Sequence, residues 1–222
     1  MKVLVEKPLF FKKEKFKQKN KNCFYVNYTL RYHPIIKFIS EQIRKNKFFY
    51  AEFYTSSFLP NWRKNISYFK SYSSQKKLGG GVVHELSHEI DLALKFFGEL
   101  SLINSFNKKI SHLKMNADDV LLSNFKSKNN VYINICLNLF SKFESRIIKL
   151  IGKKLQLKAD LKNYYVEKFI KNKFTKIKFK RLNRWQLNQK MHNDFFKSNK
   201  NICSLEEGKL TMDYITKILK KR

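Results

Sequence analysis

Cysteine, arginine, glycine and acidic residues are all scarce in this 222-residue chain, and each scarcity closes a route. The three cysteines, Cys23, Cys136 and Cys203, are odd in number and widely spaced. They form no C-x-x-C pair, so three reduced thiols are expected rather than a disulfide framework or a cysteine zinc site. Arginine occurs only at positions 31, 44, 63, 146, 181, 184 and 222. Readers of base edges favour arginine, whose fork matches guanine, so no nucleic-acid partner is expected. No apolar run approaches the length of a membrane span, and Met1 to Pro8 is too soon interrupted by charge to be a signal peptide. The expected compartment is therefore the cytoplasm, with no membrane partner. The six glycines include no G-K-[ST] phosphate loop. Only 17 Asp and Glu face 47 Lys and Arg, giving a net charge of +30. That excess is mostly lysine, in a chain also rich in Asn, Ile and Phe, the amino acids of A/T-rich codons. It reads as a solvated surface whose field still draws anionic ligands such as phosphates and sugar nucleotides.

What is present suffices for a core, since 43% of residues are hydrophobic. Lys2 to Val5 reads as a short strand stopped by Pro8, which restricts Lys7 to extended geometry. Residues 11–21 read as a solvated helix or loop. Strand composition follows at 23–30 and 48–54. Between them, Pro34 fits the first turn of a helix whose apolar stripe is Ile35, Ile36, Ile39 and Ile43. Val82 to Phe97 reads as one helix closed by Gly98. Strands are expected near 100–106, 109–114, 119–126, 131–140, 144–151, 154–160 and 174–181; that at 131–140 alternates most cleanly. Leu205 to Leu219 reads as a final helix, with Ser204 and Glu207 as a capping box. Consecutive strands with short turns are antiparallel, so the expected class is α+β: an open, mainly antiparallel sheet covered on one face by helices.

Three segments carry chemistry. Glu6-Lys7-Pro8 ends the first strand. Leu59-Pro60-Asn61-Trp62-Arg63 is followed by Tyr68 and by Ser71-Tyr72-Ser73. Gly79-Gly80-Gly81 leads into His84-Glu85-Leu86-Ser87-His88-Glu89-Ile90-Asp91. The third contains a literal H-E-x-x-H. On one helix His84 and His88 would share a face, as two zinc ligands must, with Glu85 as general base of a metallopeptidase. No third ligand is evident, and no metal site is expected.

Taken together, in this order and spacing, the segments resemble the Gfo/Idh/MocA oxidoreductases. The matching stretches are Glu6-Lys7-Pro8, Arg31-Tyr32-His33-Pro34, Leu59 to Arg63, Tyr68 to Ser73, Gly79 to Val82, Leu86 to Asp91, Gly98, and Ser204 to Gly208. Asn61 departs from the family's usual Asp, and His84 from a usual apolar residue.

The resemblance implies an NAD(P)-dependent enzyme acting on a sugar or nucleotide sugar. Lys7, His88 and Glu85 would be catalytic: Lys7 near the nicotinamide and the reacting hydroxyl, His88 as general acid/base with a pKa near neutrality, and Glu85 orienting the imidazole or a sugar hydroxyl. Glu6, Lys7 and Pro8 would touch the cofactor, NAD or NADP. Arg31, Trp62, Arg63, Tyr72 and Asp91 would bind substrate. Residues 1–10 would be the end of a dinucleotide-binding domain, and 11–222 the C-terminal substrate and oligomerisation domain. No G-x-G-x-x-G is present, so the cofactor phosphates have no visible cradle. The expectation is a truncated or split catalytic half, inactive alone. Its partners would be a Rossmann-bearing chain or further copies docked through the sheet. The alternative is a sugar-binding or interaction module without chemistry. Residues 2–5, lacking a parent sheet, are expected to fray or dock elsewhere.

Overall fold

The computed structural model describes residues 1–10, 23–197 and 201–220. The segment 11–21, expected as solvated helix or loop, lies outside the described residues.

Eight strands form the main sheet: β3 (Tyr50–Phe58), β4 (Leu100–Lys108), β5 (Val120–Ser127), β6 (Tyr132–Asn138), β7 (Phe140–Ile151), β8 (Leu155–Asp160), β9 (Tyr165–Ile170) and β10 (Lys173–Lys178). Their order is β10-β9-β8-β7-β3-β6-β5-β4, and every pairing is antiparallel except β3 with β6. Period-two alternation explains the sheet's two faces. Leu157, Ile148, Phe53, Ile135 and Leu121 are buried on one face. The opposite face carries Asn104, Asn124 and Asn134, linked side chain to side chain at 2.9 Å, and the exposed Phe106, Leu122 and Tyr132.

Helices α1 (Pro34–Lys45), α2 (Val82–Glu85), α3 (His88–Phe97) and α5 (Leu205–Lys220) cover the apolar face, while α4 (Arg184–Lys197) packs on the turn at Thr29–Tyr32. Ile35, Ile36, Ile39, Ile90, Ala93 and Ile215 are in the core they share with the sheet. This is the α+β arrangement expected. The capping box of α5 is also present: Ser204 N–H donates to Glu207 Oε2 at 2.8 Å, and Glu207 N–H to Ser204 Oγ at 3.2 Å.

Of the two outcomes expected for residues 2–5, fraying or docking elsewhere, the second holds: β1 (Val3–Val5) pairs in parallel with β2 (Phe24–Val26), which in turn pairs with β11 (Cys203–Ser204). Three expectations need correction. The strand read at 23–30 ends at Val26 and gives way to a 3-10 turn over Thr29–Tyr32. Residues 109–114 are not a strand, because the Asp119 carboxylate takes the N–H groups of Ile110 and Ser111 and curls that segment. The helix read across 82–97 is interrupted at Leu86 and Ser87.

Candidate active site

That interruption builds the site. In a continuous helix the Glu85 carbonyl would accept from the N–H of residue 89. Here Glu89 N–H turns to Leu86 O at 3.4 Å. The Glu85 carbonyl takes the Lys7 ammonium instead, Nζ to O at 2.7 Å. Lys7 reaches it from two residues beyond the end of β1, and the Lys7–Pro8 peptide that follows is cis. Burial lowers the Lys7 ammonium's pKa, opposed by the charges of Glu85 and Glu89.

The glycine cluster fixes the approach. A Cβ on Gly80 would sit 2.2 Å from the Tyr72 carbonyl oxygen, and one on Gly81 2.6 Å from an Asp118 oxygen. Gly81 also adopts φ +113°, in glycine's territory. The close approach that Gly80 and Gly81 permit is to the chain's own loops.

His88 opens α3 at the floor of a cleft of about 1020 Å³. Its ring meets Tyr28 edge to face, centroids 5.4 Å apart, and its Nδ1 has no hydrogen-bond partner. Burial, then the charges of Lys7, Arg146, Arg184 and Arg31, hold the imidazole well below its ordinary value. The expectation of a pKa near neutrality is corrected accordingly: His88 is neutral at physiological pH. Glu85, also on the cleft wall, keeps Oε1 buried and unpartnered.

Glu89, Thr55 and Arg146 were missed from sequence. Glu89 is buried; its Oε1 accepts from Thr55 Oγ1 at 2.8 Å and pairs with Arg146 at 2.9 Å, while its Oε2 has no partner. Thr55 and Arg146 line the cleft. Glu89 lies within the segment His84 to Asp91, whereas Thr55 and Arg146 become neighbours only through the β3–β7 register.

The residues assigned to substrate divide. Trp62, Arg63 and Tyr72 line the cleft, with Trp62 Nε1 donating to Ser57 Oγ at 2.7 Å and the Arg63 guanidinium 4.8 Å from the Tyr72 ring centre. Arg31 and Asp91 do not. Arg31 donates to both Asp91 oxygens, at 2.9 and 2.6 Å, and through Nη1 to Glu207 at 3.0 Å. Both are buried and neither lines the cleft: the fork that was expected to meet substrate is engaged by the carboxylates of α3 and α5.

H-E-x-x-H fails as a zinc motif for the same local reason. His84 is on α2 and His88 on α3, and among the described residues no group of three His, Cys, Asp or Glu could hold a metal ion.

No protein-family model and no curated protein matches the chain. Solved structures do. A levoglucosan dehydrogenase in complex with NADH superposes with a TM-score of 0.83 at 15% identity, covering 99% of this chain and 71% of its own. A UDP-N-acetylglucosamine 3-dehydrogenase from Acidithiobacillus ferrooxidans gives 0.72 at 12%, covering 98% and 69%. An oxidoreductase structure from Thermotoga maritima gives 0.78 at 15%, covering 100% and 70%. The chain thus has the fold of oxidoreductase structures, as the motif resemblance implied, and spans about 70% of the length of those it matches.

Proposed function

We propose that this chain is the substrate-binding and acid/base part of an NAD(P)-dependent oxidoreductase acting on a sugar or sugar derivative. The observation that supports this best is the convergence of a buried lysine, a neutral histidine and a carboxylate with an unpartnered oxygen at one cleft.

In sugar oxidation, neutral His88 accepts the proton of the reacting hydroxyl. The Lys7 ammonium stabilises negative charge on that oxygen as the proton leaves. Glu85 Oε1 accepts from a neighbouring hydroxyl and fixes the ring's orientation. Glu6, Lys7 and Pro8 form the side of the cleft that a nicotinamide ring would approach. The nicotinamide supplies the two-electron acceptor or donor. The residues present fit that end of the cofactor but not its phosphates. The triple glycine packs on Tyr72 and Asp118, and no other glycine-rich turn occurs among the described residues. The dinucleotide is therefore held chiefly by a unit other than these residues, a further domain or a separate chain, and the chain alone turns over slowly or not at all. Association of copies through the open sheet face, where Phe106, Leu122 and Tyr132 are exposed, belongs to the same reading.

The test is titration with NADH and NADPH, followed by nicotinamide fluorescence, together with calorimetry against a panel of sugars. Weak nucleotide binding with saturable sugar binding is expected. Tight nucleotide binding would overturn the separate-unit proposal. A cleft that takes no sugar, with Lys7→Met and His88→Asn behaving as the parent does, would sink the oxidoreductase reading itself.

A further inference from the structure

Arginine is rare in this chain but not evenly spread. Of the seven arginines, Arg63, Arg146, Arg181 and Arg184 line the cleft. The far more numerous lysines contribute only Lys7 and Lys162 among the described residues. A composition that supplies lysine wherever a solvated cation suffices has placed arginine here, and the two are not equivalent. The guanidinium is a planar fork that meets phosphate or carboxylate with two parallel hydrogen bonds.

Three of these six cations are already engaged. Lys7 is held by the Glu85 carbonyl, Arg146 pairs with Glu89, and Lys162 with Glu144 at 2.9 Å. Arg63, Arg181 and Arg184 form no salt bridge with any carboxylate among the described residues. Two of them are steadied by rings: Arg63 over Tyr72, and Arg181 over Tyr164 at 5.9 Å. A guanidinium lying on a ring keeps its N–H edge free for a ligand. Arg184 is the first residue of α4, whose start is closed by the reciprocal bonds of Asn183 and Gln186 at 2.9 Å.

Resting on the oxidoreductase reading, we infer that the cleft takes a sugar carrying an oxyanion group, phosphate or carboxylate, seated by Arg63, Arg181 and Arg184. The sugar's reacting hydroxyl lies at Lys7 and His88. The arginines recognise the substrate and take no part in proton transfer.

The general positive field of the chain would also attract anions, so the test must separate site from field. The 222-residue chain is titrated calorimetrically, at fixed ionic strength, with glucose 6-phosphate, glucuronate and glucose. The same titrations use Arg63→Gln, the pair Arg181→Gln/Arg184→Gln, and a control pair, Lys173→Gln/Lys178→Gln, on the edge strand β10. The control removes the same charge from exposed positions that do not line the cleft. At least one anionic sugar is expected to bind about tenfold or more tightly than glucose. The arginine pair should weaken it about tenfold or more, Arg63→Gln several-fold, and the lysine pair less than about twofold. Stronger binding of the phosphate or of the uronate says which oxyanion is meant. Equal losses in the two pairs, equal binding of charged and neutral sugars, or no saturable binding of either anion overturns the inference. Hydride transfer is not read in this assay. If the chain binds these sugars yet the complete holoenzyme, supplied with NAD(P), transfers no hydride to or from them, the proposed activity is overturned and the arginine site stands.

Discussion

His88 and Asp91 lie one turn apart on α3, and their surroundings are opposites. Asp91 has both oxygens bonded to the Arg31 fork, which is also held by Glu207, itself held by the cap of α5. Three elements meet there with every charge answered. Around His88 the answers are incomplete: His88 Nδ1, Glu85 Oε1 and Glu89 Oε2 have no partner. A buried polar atom without a partner costs free energy, so a fold keeps such a group only where something else compensates. The same helix thus carries a completed charge cluster and an incomplete one, which the substrate proposed above would complete. The difference lies in satisfaction, since both clusters contain arginine and carboxylate.

That contrast can be broken most sharply at the open cluster. In the complete holoenzyme, Lys7→Met or His88→Asn should lower hydride transfer by about 10²- to 10⁴-fold while the urea denaturation midpoint moves little. A large loss of stability with either change would mean that these residues are structural. Asp91→Ala should do the reverse, costing about 3–5 kcal/mol in urea denaturation because it leaves the Arg31 charge buried with Glu207 alone. An unchanged midpoint would show that the cluster is not what holds α3 to α5.

His33 caps α1 through Nδ1, which accepts from Ile35 N–H at 3.2 Å, while its Nε2 faces the Leu161 carbonyl at 3.1 Å. Only the neutral ring satisfies both, and burial pushes its pKa down to about 4 from the ordinary 6.5. Between those values the unfolded chain binds the proton and the folded chain does not. Stability is therefore full above pH 6.5 and falls as pH drops toward about 4, by up to about 3 kcal/mol. His33→Asn keeps a cap acceptor and should flatten that slope; a slope unaltered by the substitution would assign the loss to other groups. The smallest effect is at the cap of α5. Ser204→Ala should cost about 1 kcal/mol. If it also adds to Asp91→Ala non-additively in a double-mutant cycle, the cap positions Glu207 for Arg31.

Much of this was legible in sequence because it repeats or because it is local. The alternation of Val131, Ile133, Ile135 and Leu137 marks β6, and Ser204 with Glu207 marks the start of α5. The strand β9 and helix α4 were not legible. In Tyr165–Ile170 only Val166 is buried, and in Arg184–Lys197 only Met191 is, so neither shows a stripe of its period. Residues 109–114 mimic a strand until the Asp119 carboxylate is placed beside them. At the site, Lys7 and His88 stood in motifs. That Arg31 spends its fork on Asp91 did not, because two charged residues 60 positions apart look the same whether they meet each other or a ligand.

The small sheet β1-β2-β11 joins strands beginning at residues 3, 24 and 203. A chain leaves the ribosome from its N-terminus, and closure between distant segments is slow. The strand that delivers Lys7 is therefore made first, but its sheet is completed only when Cys203 and Ser204 emerge. Arg31 likewise waits for Glu207. The eight-stranded sheet, α3 and the β1–β2 pair are already synthesised by then, so a nascent chain halted before residue 203 would carry Lys7, His88 and the cleft walls with that small sheet one strand short.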